Sequence, residues 1–83
     1  EVLIVRTAAG LHAVENMCSH AYSKLDEGRI RGIHIFCPLH GLRFDLRDGT
    51  PSGKLTDKPI KAFHCEVVGD QVMVDCDRRL DAG

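Results

Sequence analysis

The sequence lacks three features that would each indicate a class of protein. No apolar run approaches the roughly 20 residues that a membrane-spanning helix needs, so we expect no membrane span. Eleven basic residues face twelve acidic ones, for a net charge of −1, and no basic excess is available to neutralise nucleic-acid phosphates. There is also no G-x-G-x-x-G motif, so nothing in the chain predicts binding of flavin or nicotinamide.

Sustained helical periodicity, internal repeats and low-complexity segments are missing as well, which predicts an all-β protein. At 83 residues the chain is one domain, 1–83, and its core is small enough to need help from a metal, a disulfide or a partner. No secretory signal pattern is visible, and we expect a reduced, cytoplasmic protein.

Two short boxes in the first half of the chain each combine one cysteine with one histidine. The first is Cys18-Ser19-His20, and the second is Cys37-Pro38-Leu39-His40, sixteen residues further on. Both fall where turns are expected, since Pro38 ends a strand and Gly41 lets the backbone approach a bound group. Four such ligands from two loops predict a metal or cluster site made of Cys18, His20, Cys37 and His40.

Two kinds of inorganic site fit these ligands. A tetrahedral zinc site usually takes like residues in pairs, as C-x2-C or H-x3-5-H, whereas each box here mixes the two types. A two-iron cluster of the Rieske type is held by two cysteines on one iron and two histidines on the other. The mixed boxes favour the cluster, and a structural zinc module that binds a protein partner remains the alternative from a different class.

At these residues the chain resembles the Rieske ferredoxins, in particular the carrier ferredoxins of bacterial aromatic-ring-hydroxylating dioxygenases. The family pattern is C-x-H, a spacer of sixteen or seventeen residues, and C-x2-H. The resemblance extends to three further segments, at 11–16, 41–49 and 58–63. It implies a Rieske-like fold of antiparallel sheets, with a cluster-binding part at about 17–42. Family members usually carry one more strand before this point, so we expect the chain to lack an N-terminal strand.

The resemblance implies a protein that is not an enzyme but carries electrons on a Rieske [2Fe-2S] cluster. Its partners would be an NADH-dependent flavin reductase and a terminal dioxygenase, and we expect a monomer. A Rieske domain of a larger oxygenase, or a nitrite-reductase small subunit, is the second interpretation. The ligand loops would present a mostly apolar docking surface made of Ala21, Tyr22, Pro38, Leu39, Gly41 and Leu42.

The same resemblance predicts a low reduction potential. High-potential relatives carry an extra cysteine in each box, joined as a disulfide, where this chain has Ser23 and Leu39. They also carry a serine and a tyrosine after the second box, where this chain has Leu42 and Phe44. Fewer hydrogen bonds to the cluster sulfurs should keep the potential low.

Strand predictions follow from alternation and turn residues. We expect a hairpin from Val2–Val5 and Leu11–Glu15 with His12 facing solvent, a central strand at 33–37, and a strand at 43–46 followed by a turn and a loop at 50–58. Pairing Val68 with Gln71 around Gly69-Asp70 predicts a last hairpin with one apolar face in the core. That face comprises Phe63, Cys65, Val67, Val72, Val74 and Cys76. Cys65 and Cys76 are expected as buried thiols without a disulfide, and 77–83 as a frayed tail.

Overall fold

The computed structural model describes residues 1–19, 23–38, 42–52 and 58–81. Within them the chain forms eight strands, all paired antiparallel, and one turn of 3₁₀ helix at Leu25–Glu27. The strands are β1 (Val2–Thr7), β2 (Gly10–Glu15), β3 (Ile30–Arg31), β4 (His34–Phe36), β5 (Arg43–Asp45), β6 (Pro51–Ser52), β7 (Ala62–Val68) and β8 (Gln71–Arg79). The prediction of an all-β fold with antiparallel sheets is confirmed.

The first sheet has the strand order β1-β2-β7-β8. Its β1–β2 hairpin turns at Ala8-Ala9, as the sequence predicts, and pairs Val5 with His12 and Leu3 with Val14. β2 then pairs with the start of β7, placing Val14 opposite Ala62. Residues that pair across neighbouring strands lie on the same side of the sheet. The side that carries Val5, His12, Val14 and Ala62 is buried.

The second sheet has the strand order β3-β4-β5-β6. In the sequence, β3 and β4 fall between the two boxes, and β5 and β6 follow the second box. Ile35 on β4 pairs with Ile30 on one side and with Phe44 on the other. The sequence predicted strands at β4 and β5 but not at β3 or β6. Those two strands have two residues each, which is too short for an alternation pattern to be visible.

One hydrophobic core joins the two sheets. The first sheet contributes Val5, Val14 and Ala62, and the second contributes Ile35 and Phe44. The loops that follow β2, β4 and β5 and precede β7 fill the rest of the core, with Cys18, Leu25, Cys37, Leu42, Leu46 and Ile60. Both box cysteines therefore belong to the core of the protein.

The prediction of one buried apolar face on the last hairpin is wrong in two respects. The strand register differs from the predicted one near Phe63, and the side chains near the turn are exposed rather than buried. A bulge between Phe63 and His64 places Phe63 opposite Arg79 rather than opposite Cys76. Cys65 still pairs with Val74, as predicted. Among the described residues β2 pairs with β7 only at Ala62 and Phe63, so the far end of the hairpin extends beyond the rest of the sheet there. Val67 and Val72 are consequently 54% and 41% exposed, Cys76 is exposed and Cys65 is half-buried.

Two further expectations are corrected by the packing. His12 does not face solvent: it is 8% exposed, and its Nε2 hydrogen-bonds Oγ1 of Thr7 at 2.7 Å. The described part of the predicted tail, 77–81, is not frayed, because β8 continues to Arg79 and Leu80 donates its N–H to the carbonyl of Ala62 at 2.8 Å, and residues 82 and 83 lie outside the described residues. Local polarity suggested exposure in both cases. His12 is instead bonded within the β1–β2 hairpin, and Leu80 is held by a hydrogen bond to a residue eighteen positions earlier.

The described part of the chain contains no helix with the length and hydrophobicity that a membrane crossing requires. Cys65 and Cys76 form no disulfide, as predicted. Burial raises the pKa of the Cys65 thiol, whose Sγ contacts the carbonyl oxygen of Leu11 at 3.5 Å.

Candidate metal centre

The two box cysteines enter the site from different sheets. Cys18 follows β2 of the first sheet and is 0% exposed, and Cys37 follows β4 of the second sheet and is 2% exposed. The partner histidines of the predicted site, His20 and His40, lie outside the described residues. The structure thus places both predicted sulfur ligands in the core.

Each box is closed by the same backbone hydrogen bond. The N–H of Cys18 donates to the carbonyl of Ser23 at 2.8 Å, and the N–H of Cys37 donates to the carbonyl of Leu42 at 2.6 Å. Both bonds join a cysteine to the residue five positions later, so each loop holds its own predicted histidine between the bonded ends. Each of these hydrogen bonds brings the two ends of its loop together on either side of the predicted ligands.

Asn16 anchors the first loop, and the sequence interpretation assigned it no such role. Its Oδ1 accepts the N–H groups of Leu25 and Asp26, each at 2.8 Å, and so caps the 3₁₀ turn beyond the loop. Its Nδ2 donates to Oε2 of Glu1 at 2.8 Å, and the residue is 3% exposed. No local signal marks this role, because the partners of its Oδ1 lie nine and ten residues further along the chain.

Ser19, between the two predicted ligands of the first box, ties that box to the segment before β7. Its Oγ donates to the carbonyl of Lys58 at 2.6 Å. The loop predicted at 50–58 thus contacts the first box at its C-terminal end. At its N-terminal end the structure contains the short strand β6 instead of loop, and residues 53–57 lie outside the described residues.

The backbone of Gly28 packs against the strand that leads to Cys37. A Cβ at Gly28 would collide with the carbonyl oxygen of Phe36, and the N–H of Phe36 donates to the carbonyl of Arg29 at 2.8 Å. Only glycine permits this close approach. The segment between the two boxes is therefore packed against the second ligand strand.

Part of the predicted apolar docking surface is buried. Leu42 is 3% exposed and belongs to the core, because its carbonyl closes the second loop and its side chain turns inward. Pro38 is exposed, as predicted. The other four members, Ala21, Tyr22, Leu39 and Gly41, lie outside the described residues.

Asp45, the acidic residue on the strands of the second sheet, is already paired. Asp45 accepts Nε of Arg47 at 3.1 Å on Oδ1 and Nη2 of Arg47 at 2.8 Å on Oδ2. The Arg47 hydrogen bonds hold the pKa of the Asp45 carboxyl below its ordinary value, and partial burial opposes that shift. Asp45 is therefore committed to Arg47 and acts as a structural carboxylate.

Two buried thiols in matched closed loops, each loop also containing one imidazole, are the donor set that a Rieske centre requires. A model of the Rieske [2Fe-2S] domain matches residues 1–64. The chain belongs to the Rieske [2Fe-2S] domain family. A Rieske-type [2Fe-2S] cluster is therefore its cofactor, and the residues present fit that group.

Known Rieske proteins resemble this chain over most of its length. The ferredoxin component of the naphthalene 1,2-dioxygenase system of Pseudomonas aeruginosa is 29% identical over 75 residues, which span 90% of this chain and 72% of that protein. The ferredoxin of carbazole 1,9a-dioxygenase from Nocardioides aromaticivorans IC177 is 37% identical, with a TM-score of 0.82 over 88% of this chain and 72% of that one.

A third likeness comes from a solved complex of reduced oxygenase and oxidised ferredoxin in carbazole 1,9a-dioxygenase. A chain of that complex is 29% identical, with a TM-score of 0.85, over 94% of this Rieske chain and 71% of that one. The sequence-based assignment to Rieske ferredoxins of aromatic dioxygenase systems is confirmed.

Proposed function

We propose that this Rieske protein is a one-electron carrier between an NADH-dependent flavin reductase and the terminal oxygenase of an aromatic-ring-hydroxylating dioxygenase. Its cluster would be held by Cys18, His20, Cys37 and His40. The pair of matched loops, each closed from its cysteine to the residue five positions later, carries the proposal. A Rieske cluster, when bound, takes up and releases one electron.

The residues of the chain bind and shield the group rather than act on a substrate. Cys18 and Cys37 are buried and supply their thiolates from within the core, and Ser19 and Asn16 hold the first loop in place. A substrate-activating metal site would instead need an open coordination position, and four protein ligands fill those of the two irons. We therefore propose a carrier without catalytic activity of its own, working as a monomer in the cytoplasm.

The relatives support the direction of transfer. The curated relative belongs to a dioxygenase system, and the solved complex contains an oxygenase and its ferredoxin. Those assemblies are properties of the relatives, and we extend them to this chain because likeness covers about nine-tenths of it.

The test is the metal content and electron paramagnetic resonance of anaerobically purified protein, before and after reduction by dithionite. We expect two irons and two sulfides per chain, uptake of one electron, and a rhombic signal with low average g. Cys18→Ser and Cys37→Ser should each abolish the signal, whereas Cys76→Ser, at an exposed cysteine, should leave it unchanged. One zinc per chain and no paramagnetic signal would contradict the carrier assignment and indicate a structural zinc module instead.

A transfer assay then tests the partners. The reduced protein should deliver one electron per chain to an oxidised dioxygenase oxygenase component, and product should form only when reductase, carrier and oxygenase are all present. Product formation by this chain alone with reductase would contradict the carrier assignment.

A further inference from the structure

The outer face of the second sheet carries an aromatic residue between two arginines. Phe36 on β4 is opposite Arg43 on β5, and on its other side its N–H donates to the carbonyl of Arg29 at 2.8 Å. Side chains that face each other across neighbouring strands lie on the same side of a sheet. The opposite side carries Ile35 and Phe44, both buried, so the row Arg29–Phe36–Arg43 faces outward.

A second row on the same face adds one more arginine. Arg31 pairs with His34, and His34 pairs with Asp45. The Asp45 carboxylate is bound by Arg47 and contributes no net charge to the face. We call the four residues Arg29, Arg31, Phe36 and Arg43 the arginine face.

The arginine face concentrates positive charge in a chain that has no excess of basic residues. Arg29, Arg31 and Arg43 are exposed, and none has an ion-pair partner among residues 1–19, 23–38, 42–52 and 58–81. Of the groove lining beside Arg29 and Arg31, Glu27 is the acidic member, so the groove keeps a surplus of one positive charge, to which Arg43 on the same face adds another. The whole chain has a net charge of −1, so the rest of it is correspondingly acidic.

The arginine face opens directly onto the ligand region. A surface groove of about 420 Å³ is lined by Arg29, Arg31 and Phe36 and also by Cys37 and its neighbour Pro38. Gly28 and Glu27 complete the lining. A molecule seated in this groove would contact the residue that begins the second ligand loop.

We propose that the arginine face docks an acidic surface of a redox partner protein. Arginine binds carboxylates through two parallel hydrogen bonds, and an aromatic side chain flanked by arginines is typical of interface centres. A long polyanion such as nucleic acid would also meet the acidic remainder of the chain, which disfavours it. The proposal deepens the proposed function and rests on it, since it names the chemistry of the surface that such a partner must present.

The first test compares two inorganic oxidants of opposite charge. The dithionite-reduced protein is mixed with ferricyanide, a trianion, or with tris(phenanthroline)cobalt(III), a trication, each of which accepts one electron. Ferricyanide oxidation should slow as salt is added, and each of Arg29→Glu, Arg31→Glu and Arg43→Glu should slow it about three- to tenfold at low ionic strength. The cobalt reaction should accelerate in the same variants.

Arg78→Glu is the matched control, because it makes the same change in net charge at an exposed arginine on β8 of the other sheet. It should change either rate less than twofold. Iron content and the paramagnetic signal should be the same in all four variants, so that altered rates report the approach of the oxidant and not damage to the cluster.

The second test measures binding without electron transfer. A hexa-aspartate peptide is titrated into the oxidised protein while the side-chain Nε–Hε signals of the arginines are followed by NMR. Signals of Arg29, Arg31 and Arg43 should shift in a salt-sensitive way and that of Arg78 should not, and Arg29→Glu should weaken binding about tenfold.

Two results would overturn the docking proposal while leaving the carrier intact. One is an Arg78→Glu effect as large as those of the arginine face, which would mean that net charge alone sets the rates. The other is hexa-aspartate binding that is absent or elsewhere. A protein that takes up no electron from dithionite would instead overturn the proposed function itself, and the redox identity of the partner with it.

Discussion

Asp81 accepts a hydrogen bond from the backbone N–H of Ala62 at 3.0 Å, nineteen residues earlier in the chain. The same carboxylate is bound by Arg79 through two hydrogen bonds of 2.6 Å, and its side chain is 3% exposed. The Arg79 hydrogen bonds lower the pKa of Asp81 from 3.8 to about 2, against the opposing effect of burial. The end of β8 is thereby fastened to the first residue of β7.

Asp81→Ala should lower the free energy of unfolding by about 1–3 kcal/mol, because it leaves the Ala62 N–H and Arg79 without their partner. Urea unfolding at pH 7 measures the change. Since folding lowers the pKa of Asp81, its contribution is complete above about pH 4 and is lost as the pH falls toward about 2. Asp77→Ala, at an exposed acid on β8, is the control and should cost less than about 0.5 kcal/mol.

His12 should make stability fall between pH 7.5 and pH 5.5. Burial lowers its pKa below 6.5, so the unfolded chain binds its proton first, and stability decreases as the pH drops through that value. The contribution to the slope is at most about 1.4 kcal/mol per pH unit. His12→Gln keeps a polar partner for Thr7 and should remove this part of the pH dependence.

The measurement is the difference in urea midpoint between variant and parent at the two pH values, which cancels the titration of the other histidines. His64→Gln, at a half-buried residue of β7, provides the comparison. An equal loss of pH dependence in both variants would mean that His12 is not the responsible group.

Gly49→Ala should be far more damaging than Gly32→Ala. Both glycines have positive φ, 77° and 59°, so both substitutions incur strain of about 1–2 kcal/mol. At Gly49 the new Cβ would also collide with the carbonyl oxygen of Ile60, whose own N–H donates to the Gly49 carbonyl at 3.0 Å. A Cβ at Gly32 would have no described atom within 4 Å other than those of its own chain neighbours.

The midpoint of thermal unfolding is measured for both variants. Backbone strain lowers it in both, and the collision with Ile60 lowers it further only in Gly49→Ala. We expect Gly32→Ala to remain folded with a modestly lower midpoint and Gly49→Ala to lose several further degrees. Similar midpoints would show that the contact between Gly49 and Ile60 relaxes at little cost.

The reduction potential should lie below 0 mV, toward the lower part of the range of roughly −150 to +300 mV that Rieske centres span. Leu42 and Phe44 follow the second box, and both are buried with no hydroxyl to donate. Phe44→Tyr should raise the potential if its hydroxyl reaches a cluster sulfur, and Phe63→Tyr, on the first sheet, should not. A reduction potential above 0 mV, measured by spectroscopic redox titration of the parent protein, would contradict the prediction.

The sequence was sufficient for the features that depend on neighbours in the chain. The β1–β2 hairpin, the Gly69-Asp70 turn and the pairing of Cys65 with Val74 all follow from alternation and turn chemistry. Gly69 has a φ of 66°, as the first residue of a mirror-image hairpin turn requires. The cluster ligands were predicted from the residue types and spacing of the two boxes and from the family resemblance, and the ligand set stays a prediction.

The features that were missed depend on residues far apart in sequence. A bulge next to Phe63 shifts the register, and the neighbouring Ala62 bonds Asp81 and Leu80, which lie too far along the chain for a local pattern to indicate them. Val67 and Val72 alternate like core residues, but burial depends on whether another strand lies over them. Asn16 was missed because its partners include Leu25 and Asp26, across the first loop.

Cys18 leaves the first sheet and Cys37 leaves the second, so a cluster bound by both would fasten the two sheets together at one end. A newly made copy without iron would have only backbone and core contacts there and would open locally more often. Proteases would then remove empty copies sooner than loaded ones.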